Sequence, residues 1–332
     1  MRADARPTLP TVSVVVPTYR RRDGLTAVLA PLLADAASFE VVVVVDGSDD
    51  GSYELLQELA AGDTRLRPVL TANQGGAAAR QHGIDLARGD VVLLVDDDVV
   101  AAPGMVAGHA RHHRDETDLV VLGYMPTRVP EGRARGRFAT RIYAQEYEGT
   151  CRRYEADPRE VLLRLWGGNV SMRRDQIDRV PYDSGPFSKT NHSDRDWGIR
   201  CLKAGLRGRF DRSLLASHEH HRPLEAFLRD ARKQGAGRYG VHRAHADVLE
   251  PFALVDTVSD LPTRVRAVVE LDRFTLVRAL MAGSLSVAAR SASRIGVEAV
   301  EVSAAKLLRR LELRAGVREA MSSEAPGTSP AP

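Results

Sequence analysis

The chain has 332 residues, 43% of them apolar and 27% charged, a balance that fits a globular protein with a sizeable buried core. Aromatics make up only 5%, so that core must be built largely from Val, Leu and Ala. The formal charge of +3 suits an anionic ligand such as a nucleotide diphosphate and does not require nucleic acid as a partner.

Cys151 and Cys201 lack CxxC spacing and suit a reducing compartment. The first ten residues carry no apolar signal segment, and no run approaches the length of apolar chain that spans a bilayer. A cytoplasmic location is therefore expected, with the membrane periphery left open.

Residues 1–10 read as a flexible lead-in. Three apolar runs follow, at 12–16, 41–45 and 91–95, each rich in Val and each ended by polar punctuation. Such runs, apolar on both faces, are how buried parallel strands look. Helical stretches at 23–36, 53–61 and 75–87 lie between them, so the order is that of right-handed βαβ units. A further strand is expected at 119–123. In such sheets the carboxyl ends of the strands meet at one ligand-binding edge. Beyond 124 the pattern predicts a helix at 137–154, a loop and short strand from Trp166, and a helix at 194–205. After His221 it predicts helices at 224–235, 263–282 and 287–313, then a disordered tail over 321–332. The expected fold is α/β: a mostly parallel sheet flanked by helices over 11–222, with halves at 11–123 and 124–222, and a helical extension over 223–320.

Asp96, Asp97 and Asp98 directly follow the third apolar run. Adjacent carboxylates at a strand end repel one another unless a cation neutralises them, which points to Mn2+ or Mg2+ holding a diphosphate. Strand alternation would turn Asp96 and Asp98 to the same side and Asp97 away. His218-Glu219-His220-His221 is not the HExxH pattern of a zinc site. His109, His112 and His113, at mixed angles on a helix, are expected to be solvated.

The ordered blocks Val14-Val15-Val16-Pro17-Thr18-Tyr19, Val45-Asp46-Gly47-Ser48, Asn73-Gln74-Gly75-Gly76, Asp96-Asp97-Asp98, Gly167-Gly168-Asn169 and Asp194-Arg195-Asp196-Trp197 resemble those of family 2 glycosyltransferases over about residues 11–221. The resemblance implies a GT-A fold, a Rossmann-like sheet, and inverting transfer of a sugar from a nucleotide-sugar donor, UDP first, to an acceptor hydroxyl. It implies Pro17, Thr18, Tyr19, Asp46, Arg80, Asp96 and Asp97 for the nucleotide, and Asp98, Asp96 and His218 for a Mn2+ or Mg2+ ion. It implies Trp166, Gly168 and Asn169 at the donor sugar or acceptor, and His220 as an alternative to His218. Asp194 is the implied general base, with Asp196 its competitor. Two departures stand out: Val45 precedes a single acid at Asp46, and Ser193 occupies the place of a family Glu. The C-terminal helices leave a homodimer or a peripheral membrane contact open.

Rival readings fare worse. A dehydrogenase would carry GxGxxG after the first strand, where Pro17-Thr18-Tyr19-Arg20 stands instead. A nucleotidyltransferase acting on sugar phosphates would carry a Gly-rich, Lys-containing loop near its start. A non-catalytic nucleotide- or carbohydrate-binding module would not need both the acidic cluster and Asp194.

Overall fold

The computed structural model describes residues 9–129, 137–183, 185, 187, 192–219 and 223–323. The first eight residues of the lead-in, most of the tail, and His220 and His221 lie outside the described residues. Contacts divide the chain into two units, one of residues 1–128, 147–189 and 193–219, the other of 129–146, 190–192 and 220–332.

The first unit holds one sheet. Its strands are β1 (Val12–Thr18), β2 (Ser38–Asp46), β3 (Leu66–Thr71), β4 (Val91–Val95), β5 (Val99–Ala101), β6 (Leu119–Tyr124), β7 (Asn169–Arg173) and β8 (Arg207–His218). Their order across the sheet is β3-β2-β1-β4-β7-β6-β8-β5. The expected parallel arrangement holds for β2, β1 and β4, and β3, not expected from the sequence, extends it in parallel beside β2. Beyond it the sheet is mixed, because β7 runs antiparallel to β4 and β6, and β5 antiparallel to β8. The chain enters β7 at the edge where β4 ends, with Asn169 opposite Val95, so it has to run back.

Helices α1 (Arg22–Ala34), α2 (Ser52–Gly62), α3 (Gly76–Leu86) and α4 (Met105–His112) sit within a residue or two of their sequence positions where these were expected. Both sheet faces are covered. Val14, Val16, Val41 and Val43 pack with Leu25, Leu29 and Leu32 of α1, while Val15, Val42 and Val44 pack with Ala79 and Ile84 of α3. This two-sided burial is why the strands read as unbroken apolar runs. β3 and β8 escape that pattern because they carry charge. Arg67 of β3 pairs with Glu40, and Arg209 of β8 with Glu116. Farther on come α5 (Arg137–Ala156), α6 (Arg159–Leu163), α7 (Arg174–Arg179) and α8 (Ser193–Lys203).

The second unit is helical, with α9 (Leu224–Ala244), α10 (Thr263–Glu270), α11 (Thr275–Ile295) and α12 (Glu298–Ser322). Three expected boundaries move. α9 continues past Gly235, where a side chain would strike the Leu313 carbonyl of α12 at 2.0 Å, so this glycine marks close helix packing and not a stop. The expected helix over 263–282 breaks at 271–274. α11 then runs straight through Gly283 to Gly296, which ends it in the left-handed conformation (φ 77°).

Arg314 of α12 is buried and forks onto the buried Asp272, with Nε 2.8 Å from Oδ2 and Nη2 3.1 Å from Oδ1. Its Nη1 also donates to the Leu254 carbonyl at 3.0 Å and the Thr257 hydroxyl at 2.9 Å. One guanidinium thus ties residues 254–272 to α12. Burial raises the Asp272 pKa, but bonds from Arg314 and Arg318 outweigh it and hold the carboxyl below its ordinary value. Stability from this carboxylate is present at neutral pH and lost as pH falls below the usual carboxylate range. Asp272→Ala leaves a buried cation unpaired and should cost about 3–5 kcal/mol in urea unfolding. Asp272→Leu combined with Arg314→Met should recover most of that loss.

Candidate active site

β1, β2 and β4 are parallel, so Thr18, Asp46 and Val95 end at one edge of the sheet. β7 begins and β8 finishes at that same edge. Topology alone therefore gathers the polar ends of five strands.

The acidic triplet lies in a turn just past β4, so strand alternation no longer sets its directions. Contrary to the expectation, Asp97 and Asp98 share one partner and Asp96 turns elsewhere. Arg21 approaches Asp98 at 2.9 Å and Asp97 at 3.5 Å. Asp96 instead pairs with Arg80 of α3, whose guanidinium also lies 5.7 Å from the ring centre of Tyr182. Burial pushes the Asp97 carboxyl up to about 6, Asp98 and Asp96 adding to the rise while the Thr18 hydroxyl and Arg21 oppose it.

Asp98 leads into β5, and β5 pairs Val99 with His218 of β8. That pairing brings His218 Nε2 to 3.4 Å from Asp98 Oδ1, while Nδ1 lies 3.3 Å from the Thr127 hydroxyl. The separation approximates the ~3 Å edge of an octahedron with ligands at ~2.1 Å, so Asp98 and His218 fit adjacent positions on a hard divalent cation. Among the described residues no three His, Cys, Asp or Glu side chains form a metal cluster. Such a cation would need phosphate oxygens and water for its remaining positions. Beside this pair opens a cleft of about 550 Å³, lined by Arg20, Arg21, Arg22, Asp50, Asp97, Asp98 and Glu219 among others.

Asp194, in the first turn of α8, accepts from Gly167 N–H at 2.9 Å and from Arg195 N–H at 2.8 Å. Burial raises its pKa to about 6, against the pull of those two N–H groups and Arg80, with Asp96 adding to the rise. Asp196 sits two residues on and faces elsewhere. It pairs with Arg200 at 2.8 Å, and Arg200 in turn donates to the carbonyls of Pro181 and Tyr182. Its carboxylate anchors the 181–182 segment.

The loop Trp166-Gly167-Gly168 passes between Asp96 and Asp194. Gly168 adopts φ +123°, and a Cβ there would lie 2.8 Å from Asp96 Oδ2. Trp166 packs edge-on against Tyr147, with ring centres 5.2 Å apart. Asn169, expected at the sugar, is instead fully buried. Its Nδ2 donates to the Leu214 carbonyl at 2.9 Å and its Oδ1 faces His109 Nε2 at 2.9 Å.

Two of the three histidines expected to be solvated are buried as well. His109 Nδ1 and His113 Nε2 both meet the Ser171 hydroxyl, at 2.7 and 2.8 Å. The Asn169 contact makes His109 Nε2 the donor, so Nδ1 accepts the Ser171 proton and His113 donates to Ser171. Both rings are neutral: burial lowers the pKa of His109 to about 4 and of His113 to about 3. His112 is half-buried and lies 2.8 Å from Asp211. Helical angles could not reveal this, because the β7 residues that receive these rings lie about sixty positions downstream.

Pro17 and Thr18 are buried at the end of β1, and Tyr19 is exposed with the Arg20 guanidinium 5.3 Å from its ring centre. Asp46, expected to read a base, is 4% exposed, and each oxygen already accepts a backbone N–H: Gln74 at 2.8 Å and Gly75 at 2.9 Å. It holds the turn from which α3 carries Arg80. Arg21 and Tyr182 were missed from the sequence. The Arg20-Arg21-Arg22 run after Tyr19 was the available signal for the first, and nothing local marks the second.

The family model "Glycosyl transferase family 2" matches residues 13–180, half of the chain. The chain therefore belongs to glycosyl transferase family 2. It is 32% identical over 157 residues to the uncharacterized glycosyltransferase YfnE of Bacillus subtilis, covering 47% of this chain and 36% of that protein. It is 26% identical over 243 residues to the glycosyltransferase AglE of Haloferax volcanii, covering 70% of this chain and 75% of that one. The chain thus spans only about a third of the length of YfnE. A mannosyltransferase structure from Pyrobaculum calidifontis, PcManGT in complex with GDP-Man and Mn2+, superposes with TM-score 0.57 at 15% identity, over 96% of this chain and 88% of that one. The shared fold is GT-A, with the mixed sheet flanked by helices.

Gly168→Ala should force Asp96 off Arg80 and cost about 1–3 kcal/mol in urea unfolding. Gly62→Ala, where nothing lies within 4 Å, should change stability little.

Proposed function

We propose that this protein transfers a sugar from a nucleoside-diphosphate donor, UDP first, to an acceptor hydroxyl with inversion at the anomeric carbon. The observation that carries this reading is the juxtaposition of Asp194, Arg80 and Asp96 beside the Gly167-Gly168 loop, next to the Arg21-Asp97-Asp98 cleft. Asp194 takes the proton of the acceptor hydroxyl. That oxygen attacks the anomeric carbon from the side opposite the diphosphate, whose bond to the sugar breaks as the new one forms. A base with a pKa near the working pH serves such a step best, and burial places Asp194 at about 6. Arg20, Arg21 and Arg22 line the cleft where a diphosphate would gather negative charge. A divalent cation at Asp98 and His218, Mn2+ or Mg2+, would add charge neutralisation to the leaving group. Tyr19 offers an exposed ring for the base, while Asp46 acts by holding the turn that positions Arg80.

Asp194→Asn keeps the size of the side chain and one acceptor oxygen. It should lower turnover by about 10²–10⁴ while leaving donor affinity nearly unchanged. The acid limb of wild-type kcat/KM should rise with an apparent pKa of about 6, since only the ionised carboxylate accepts a proton. Because the folded-state pKa is raised, ionisation destabilises the fold as pH climbs through that value, so the melting temperature of wild type should fall relative to that of Asp194→Asn as pH rises from about 4 to 7. A product of retained anomeric configuration would refute the mechanism.

Asp98→Ala should remove the dependence of UDP-induced thermal stabilisation on Mn2+ or Mg2+. GDP in parallel tests the base, since PcManGT was solved with GDP-Man. Full transfer activity in EDTA would overturn the metal reading.

A further inference from the structure

α11 is apolar on two sides. Its inner side packs Met281, Leu285, Ala289 and Ala292 against the second unit's own core. Its outer side leaves Leu276 80%, Leu280 72%, Val287 64% and Ile295 70% exposed. Leu276, Leu280 and Val287 are spaced four and seven apart, so they share one helical face. Phe274 and Val268, just before α11, are exposed too. A surface helix ordinarily turns charge outward, and one that is apolar all round is normally buried or in lipid.

The charge carried by this segment itself has one sign. Between Asp272 and Glu298 the sequence has four arginines, at 273, 278, 290 and 294, and no acid. Arg273 lies 4.8 Å from the Phe274 ring centre, and Arg290 reaches Glu225 at 3.2 Å. Arg278 turns to the inner side, where it adds to the larger effect of Arg232 in holding the Glu319 carboxyl below its ordinary value. Among the described residues no helix is long and apolar enough to cross a membrane.

The geometry points to α11 as an interfacial helix that docks the protein on an anionic lipid surface, with Leu276, Leu280 and Val287 inserted and Arg273 and Arg294 against the headgroups. A two-fold self-contact would set this face on itself and bring arginine against arginine, with no acid from 273–297 to meet them. An anionic lipid surface complements both properties at once. This docking is independent of the transfer chemistry, so a binding measurement tests it directly.

The full chain is to be sedimented with vesicles of phosphatidylcholine alone and with vesicles containing about one third phosphatidylglycerol. The wild type should bind the anionic vesicles, and binding should weaken as salt rises. Leu276→Ser with Leu280→Ser should lower the partition coefficient by at least about tenfold. Arg273→Gln with Arg294→Gln should weaken binding and flatten its salt dependence. Both pairs lie at the surface, so melting temperatures should hold, and Leu70→Ser, on exposed β3, should bind as wild type. Equal sedimentation of wild type and the double serine variant would overturn the proposal. So would absence of binding to either vesicle, or a dimer in analytical ultracentrifugation that the double serine variant abolishes.

Discussion

Carboxylate repulsion at the end of β4 is the constraint on which the rest of the site depends. Asp96, Asp97 and Asp98 leave one strand in succession, and α8 adds Asp194 from the far side of the Gly167-Gly168 loop. Two arginines divide this charge. Arg80 takes Asp96, and Arg21 takes Asp97 and Asp98. The division separates the surroundings of Asp194, whose pKa burial raises, from an open cleft lined by arginines. Each arginine in turn depends on other parts of the fold. Arg80 reaches the site because Asp46 fixes the turn before α3, and Arg21 because β1 ends beside β4.

Behind this edge lies a neutral polar layer. His109, His113, Ser171 and Asn169 bind α4 to β7 with a single consistent set of proton positions. The layer keeps Asn169 inward, which leaves Gly168 to pass within touching distance of Asp96. Burial without charge holds such a loop at lower cost than an ion pair, because neutral imidazoles avoid the desolvation penalty of charge, although His113 Nδ1 stays buried without a hydrogen-bond partner. The second unit shows the opposite solution, where Arg314 and Asp272 are both charged and are satisfied by each other, by Arg318 and by nearby oxygens.

The second unit also departs from the usual division of apolar inside and polar outside. Its core is complete with the inner side of α11, yet the outer side carries large aliphatic side chains in open solvent. Exposed apolar surface of that kind marks an interaction site. The segment that carries it, residues 273–297, has arginines and no acid, which favours an anionic partner.

The sequence by itself determined β1, β2 and β4 of the parallel part of the sheet, the position of the acidic triplet at a strand end, and the order of the family's motifs. These are local properties: unbroken Val runs arise from burial on both faces, and polar punctuation follows directly along the chain. Tertiary structure alone decided where each carboxylate points. A turn replaced strand alternation after Val95, and partners sixteen to over one hundred residues away took up the charges. The same holds for the histidines of α4, whose helical angles are compatible with solvent until β7 supplies a hydroxyl and an amide. Asp194 and Asp196 differ by two positions, and only the placement of Gly167 and Arg200 around them sets one at the loop and the other in an anchor. Direction and burial depend on long-range packing, and no local pattern encodes them.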